Sequence, residues 1–174
     1  MMRSTLVLVI WCVGITTSWA QGTLGQTRAD TQYQAGLDRM KHHQYGAAFD
    51  AFDAFLRSCP SSDPRNAEAK YYRAYCSVTL LHPQGEQLLE QFIAENASHP
   101  NALQGYFDLA NHFYDEKNYP KASNYFTKVN FKYLSDEQAG TGRFRWGYSL
   151  FSQRNLVGAL DQFSAVKALG GMYG

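Results

Sequence analysis

Tyr106-Phe107-Asp108-Leu109-Ala110-Asn111-His112-Phe113-Tyr114-Asp115-Glu116-Lys117-Asn118-Tyr119-Pro120-Lys121-Ala122-Ser123-Asn124-Tyr125-Phe126 decides the fold. Tyr106, Leu109, Ala110 and Phe113 recur at i, i+3, i+4 and i+7, the stripe of a helix with one buried face. Ala122, Phe126 and Val129 form a second such stripe, and Glu116-Lys117-Asn118 between them is a polar turn signal. Two amphipathic helices joined by so short a turn pack antiparallel. Strand-type alternation is absent over any comparable length.

The same arrangement returns on both sides. Phe52, Phe92, Phe126 and Phe163 stand at intervals of 40, 34 and 37 residues, each preceded four residues earlier by Ala48, Leu88, Ala122 or Ala159. Twelve residues before those positions stand Gly36, Cys76, Ala110 and Gly147, small in every unit. Tyr45, Tyr119 and Leu156 precede the second helix in three units, where the second unit has Gly85. Small side chains let two helices approach closely, and a Phe one turn on fills the space toward the next pair. Ala47, Ala48, Ala51, Phe52, Phe55 and Leu56 form the matching stripe of the first unit. Further turn signals fall at Gln153-Arg154-Asn155 and Ser61-Ser62-Asp63-Pro64.

These units resemble tetratricopeptide repeats, whose pattern is Trp-x2-Leu-Gly-x2-Tyr, then Ala-x3-Phe, then Pro. The third unit matches at Tyr106, Leu109, Ala110, Phe113, Ala122 and Phe126; the fourth matches at Trp146, Gly147, Leu150, Ala159 and Phe163, with Arg143 where an aromatic is usual. The first keeps Gly36, Ala48, Phe52 and Pro60. The second, with Tyr72, Tyr75, Cys76, Leu88, Phe92 and Pro100, is the most degenerate. The resemblance implies an all-α, right-handed superhelical solenoid of about four antiparallel helix-turn-helix repeats over 28–169, with units near 29–62, 66–101, 103–135 and 138–169. With the export signal described below, the chain is similar to exported cell-envelope tetratricopeptide proteins of Gram-negative bacteria, including long secreted arrays of the Bacteroidetes.

In that family the first helix of each pair lines a concave groove that holds peptides. Carried over unit by unit, the groove positions expected here are Tyr33, Leu37, Met40 and Lys41; then Lys70, Arg73, Ser77 and Leu80. Phe107, Asn111 and Tyr114 follow in the third unit, and Phe144, Tyr148 and Phe151 in the fourth. The expected groove is aromatic at its far end, with a basic pair at Lys70 and Arg73; packing of those aromatics against the next unit is the competing expectation. Of the Lys, Asn and Arg that clamp a C-terminal carboxylate in chaperone-type repeats, only Asn111 is matched, with Phe107 in place of a Lys.

The start of the chain carries its own signal. Arg3 is a basic n-region, Leu6 to Val13 an apolar h-region, and Ser18-Trp19-Ala20 a small-x-small cleavage site. Residues 1–20 are therefore expected to be a cleaved signal peptide and 21–27 a linker, with no integral span after cleavage and an exported, periplasmic or outer-membrane-associated location. The 174 residues are 45% hydrophobic and 15% aromatic, which argues against disorder. Their net charge of +1 excludes a general drive toward nucleic acid. Without Arg3 the acidic and basic counts are equal.

Motifs that carry chemistry are missing. His42, His43, His82, His99 and His112 fall in no His-Glu-x-x-His frame, and Gly140-Thr141-Gly142 lacks the lysine and preceding strand of a phosphate loop. Cys59 and Cys76 lie too far apart along antiparallel helices to bridge. Ser135-Asp136-Glu137-Gln138 reads as a capped helix start. The expectation is a protein with no catalytic residue, cofactor or metal, serving as an interaction scaffold for a peptide or protein partner. A cell-wall or glycan-binding module, or the front of a longer envelope enzyme or assembly protein, are the alternatives. The last helix is followed only by Gly170-Gly171-Met172-Tyr173-Gly174, a truncated or linker tail; hence self-association through an uncapped final unit is also expected.

Overall fold

Eight helices and no strand make up the residues that a computed structural model of the chain describes, 16–170, with side chains from residue 28 onward. They are α1 (Thr16–Lys41), α2 (Tyr45–Ser58), α3 (Asn66–Thr79), α4 (Gly85–Glu95), α5 (Pro100–Asp115), α6 (Tyr119–Phe126), α7 (Asp136–Ser152) and α8 (Leu156–Ala168), with a 3-10 turn at Phe131–Tyr133 before α7. Each helix packs on its neighbours in the chain, and α3 meets α5 as α5 meets α7. The first helices of successive pairs thus share one layer of a solenoid. The expected n-region and h-region lie outside the described residues, as do Gly171 to Gly174. The backbone is helical from Thr16, so the segment 21–27, expected as a linker, is continuous with α1 instead. It holds no proline, and single glycines weaken a helix without ending it.

All four turns within the pairs are built alike. His43, Leu81, Lys117 and Arg154 adopt left-handed φ of 56°, 58°, 61° and 62°. The next residue donates its amide to a carbonyl five positions back: Gln44 to Arg39, His82 to Ser77, Asn118 to Phe113 and Asn155 to Leu150, all at 2.8–2.9 Å. This is a Schellman closure made without glycine. Asn118 and Asn155 then cap the following helix by accepting from the amides of Lys121 and Gly158. Ser135 and Gln138 form a reciprocal capping box at the start of α7.

The repeat anchors fill the seams between helices. Phe52, Phe92 and Phe126 are buried, and so are the small residues Gly36, Cys76, Ala110 and Gly147. Phe163 is only half-buried, because no described helix follows α8. Arg143 replaces the missing aromatic of the fourth unit by laying its guanidinium 4.5 Å from the Phe131 ring centre, where Trp146 also stacks at 5.9 Å.

Candidate partner-binding groove

Along α3, Tyr71, Tyr75, Val78 and Thr79 share one stripe; along α5, Gln104, Asp108, Asn111, His112 and Asp115 do the same. Together with Thr141 and Arg145 of α7 they line three clefts of about 360, 460 and 370 Å³. Tyr75 and Asp108 border the first two, and Asn111 borders the second and third, so the clefts form one groove across the first helices.

Polar bonds hold its floor. The Tyr71 hydroxyl donates to Asp108 Oδ2 at 2.7 Å and Gln104 Nε2 donates to Oδ1 at 3.0 Å. Asn111 donates to the Phe107 carbonyl at 2.8 Å and accepts from Arg145 Nη1 at 3.0 Å. Arg145 also pairs with Asp115 at 3.1 Å and lies 5.0 Å from the Tyr114 ring centre. Burial pushes the Asp108 carboxyl up to about 6, against the two hydrogen bonds that favour its charged form. Burial first, then the Asp108 charge, raises the Tyr75 phenol to about 12 and holds that of Tyr71 far above its usual range.

Six expected positions are held by packing or by ion pairs, although Phe107 also borders the third cleft. Tyr33 is core: its ring packs 5.2 Å from Phe55 and its hydroxyl donates to Glu68 at 2.5 Å. Lys70 and Arg73 form no basic pair in the groove, because Glu95 of α4 holds Lys70 at 3.3 Å and Asp53 of α2 holds Arg73 at 3.1 Å. Phe107 is 7% exposed, its ring filling the α5–α7 seam where a Cβ on Gly142 would stand 2.7 Å from Phe107 Cε2. Phe144 is half-buried against Phe163 of α8, 5.9 Å between centroids. Ser77, also expected in the groove, is fully buried.

Asn111, Tyr114 and Tyr148 do come together. Tyr148 meets Tyr114 edge-on at 5.9 Å and remains 39% exposed; Phe151, one turn on, is 56% exposed. The groove residues absent from the expectation include Tyr71, Tyr75, Gln104, Asp108 and Arg145. Their signal was periodic: Tyr71 and Asp108 are 37 residues apart, and the same interval separates Asp108 from Arg145.

Cys59 and Cys76 are both free. Cys76 is buried with its sulfur 3.3 Å from that of Met40, and burial raises its thiol to about 12. At the far end of the array Val166 is buried, while Val157 is 75% and Leu160 66% exposed. Among the described residues no group of His, Cys, Asp and Glu is placed to hold a metal ion, and no helix is long and apolar enough to cross a membrane.

No family model matches the chain, and no curated protein does. Solved structures do. A mutant of MamA superposes with a TM-score of 0.63 at 18% identity, over 83% of this chain and 78% of that one. MamA AMB-1 gives 0.60 at 19% identity over 83% and 74%, and MamA MSR-1 gives 0.57 at 21% identity over 82% and 76%. MamA is a tetratricopeptide-like helical solenoid, and the chain has that fold.

Proposed function

We propose that this protein is a non-enzymatic interaction scaffold of the cell envelope that captures a peptide or partner helix in the groove of α3, α5 and α7. The observation that carries the reading is the continuity of the three clefts across successive first helices, with polar groups fixed on the floor; Tyr148 and Phe151 are exposed on α7, the helix that carries Arg145. Fixed polar groups set register, and exposed aromatic faces supply burial energy on binding. The tetratricopeptide-like fold supports the same reading, and the signal-like start supports export.

A photo-crosslinking amino acid at Tyr148, compared with one at Gln87 or Asn124 on the second-helix layer, tests the groove in cells. Crosslinks to a discrete protein from Tyr148 alone are expected; equal yields from all three sites, or capture of cell-wall glycan in place of protein, would refute it. N-terminal sequencing of the chain recovered from fractionated cells tests export, with Gln21 as the expected first residue.

A further inference from the structure

The first cleft has a chemistry of its own. Its wall is four tyrosines, Tyr45, Tyr71, Tyr72 and Tyr75, with Met40 and His43 at the rim and Asp108 on the floor. Tyr71 stands 5.3 Å from Tyr72 and 6.2 Å from Tyr75, and Tyr75 stands 6.1 Å edge-on from Tyr45. The hydroxyls are largely committed: Tyr71 to Asp108, Tyr72 to Glu68 at 3.1 Å, and Tyr45 to His43 at 2.9 Å.

Asp108 is the unusual member. Elsewhere in the groove Asp115 is paired with Arg145, and Glu116 Oε2 lies 3.6 Å from His112 Nε2. Asp108 receives only the neutral donors Tyr71 and Gln104, and no described base pairs with it. Each of its oxygens accepts one bond, so each retains a lone pair. A carboxylate in a cleft lined by tyrosine rings attracts a cation and repels an anion. A neutral apolar group in the same place would cover Asp108 without pairing it.

We propose that this cleft is a cation cage that takes one basic side chain, a lysine ammonium or arginine guanidinium, from a partner polypeptide lying in the groove. This rests on the groove reading above and adds the chemistry of one subsite. The volume of about 360 Å³ holds a single long side chain, at the lower end of small-molecule pockets. The cleft shares Tyr75 and Asp108 with the next one, so a chain lying along α3 and α5 can place a side chain in the cage while its backbone continues past Asn111.

The test titrates the full chain with four blocked octapeptides that differ only at the central residue: Lys, Arg, norleucine or Glu. Butylammonium serves as the free-amine control. The Lys and Arg peptides are expected to bind about tenfold or more tightly than the norleucine peptide, the range of a charged hydrogen bond. Amide NMR shifts should centre on Tyr71, Tyr75, Gln104 and Asp108. Asp108→Asn, which keeps an acceptor for Tyr71, should abolish the preference while the helical circular dichroism is retained. Tyr75→Leu should reduce it about fivefold or more through loss of a ring face.

Equal binding of the Lys and norleucine peptides, or a preference that survives Asp108→Asn, overturns the cage. Butylammonium binding as tightly as the Lys peptide overturns the polypeptide as occupant. A partner that crosslinks at Tyr148 yet is indifferent to Asp108→Asn overturns the cage and leaves the groove standing.

Discussion

The ring of Phe52 lies against the backbone of Gly36, so that a Cβ on the glycine would stand 2.7 Å from Phe52 Cε1. Gly147 and Phe163 repeat the contact at the other end of the array, again at 2.7 Å. The two pairs differ in freedom: Phe52 is buried on all sides, while Phe163 is half-buried and can turn outward. Alanine gains about 1 kcal/mol over glycine within a helix, and overpacking costs about 1–3 kcal/mol where nothing yields. Gly36→Ala should therefore lose about 1–2 kcal/mol in urea unfolding, and Gly147→Ala should be near neutral. Equal effects at both sites would show that ring mobility does not decide the outcome.

Lys117 and Arg154 hold left-handed backbone at exposed turns, a conformation that disfavours L residues by about 1–2 kcal/mol. Glycine removes that strain and adds entropy to the unfolded chain. Lys117→Gly and Arg154→Gly should each stabilise by about 0.5–1 kcal/mol, raising the melting temperature, while alanine at either position should not. Destabilisation by glycine at both positions would contradict the strain argument.

The repeat register was legible because it rests on side-chain size at fixed intervals. Gly36, Cys76, Ala110 and Gly147 are all buried, and at Gly36 and Gly147 a Phe of the paired helix presses on the backbone. Gly85, which breaks the sequence pattern, is explained only in three dimensions: a Cβ there would stand 2.8 Å from the Val78 amide nitrogen and 2.9 Å from the Ser77 carbonyl oxygen. Of the expected groove positions, Met40, Phe107 and Asn111 border the clefts. Stepping along α3 by Lys70 and Arg73 in place of Tyr71 and Tyr75 turns the helix by about 100° per residue, enough to exchange the groove for the flank. Nothing in the residues one helix at a time marks that rotation. Asp53 and Glu95, which capture the two bases, lie on different helices.

Leu89 and Leu160 are chemically identical tests of where the core ends. Leu89 is fully buried between α4 and its neighbours, and Leu160 lies on the outer side of α8. Leu89→Ala should lose about 2–5 kcal/mol by cavity formation. Leu160→Ala should change stability by about 0.5 kcal/mol or less. A large loss at Leu160, measured by urea unfolding, would mean that another surface covers α8 in solution.

Two carboxylates should tilt the pH dependence of stability in opposite directions. Asp63 accepts from the Arg65 backbone at 2.9 Å, from Nε at 3.0 Å and from Nη2 at 2.7 Å, and Arg65 reaches on to Asp30 of α1 at 2.7 Å. The Arg65 side chain holds the Asp63 carboxyl well below the usual range. Its stabilisation is therefore present above the unfolded carboxylate value and is lost as pH falls below it. Asp108 has the reverse sign. Its folded value of about 6 exceeds the ordinary 3.8, so its contribution is full below 3.8 and is lost as pH rises through 6. The stability difference between Asp108→Asn and the parent should shift in favour of the variant by about 1–3 kcal/mol from about pH 4 to pH 7. For Asp63→Asn the deficit should instead shrink from about pH 5 to pH 3. Urea unfolding at several pH values checks both, and a pH-independent difference at position 108 would place that carboxyl in water.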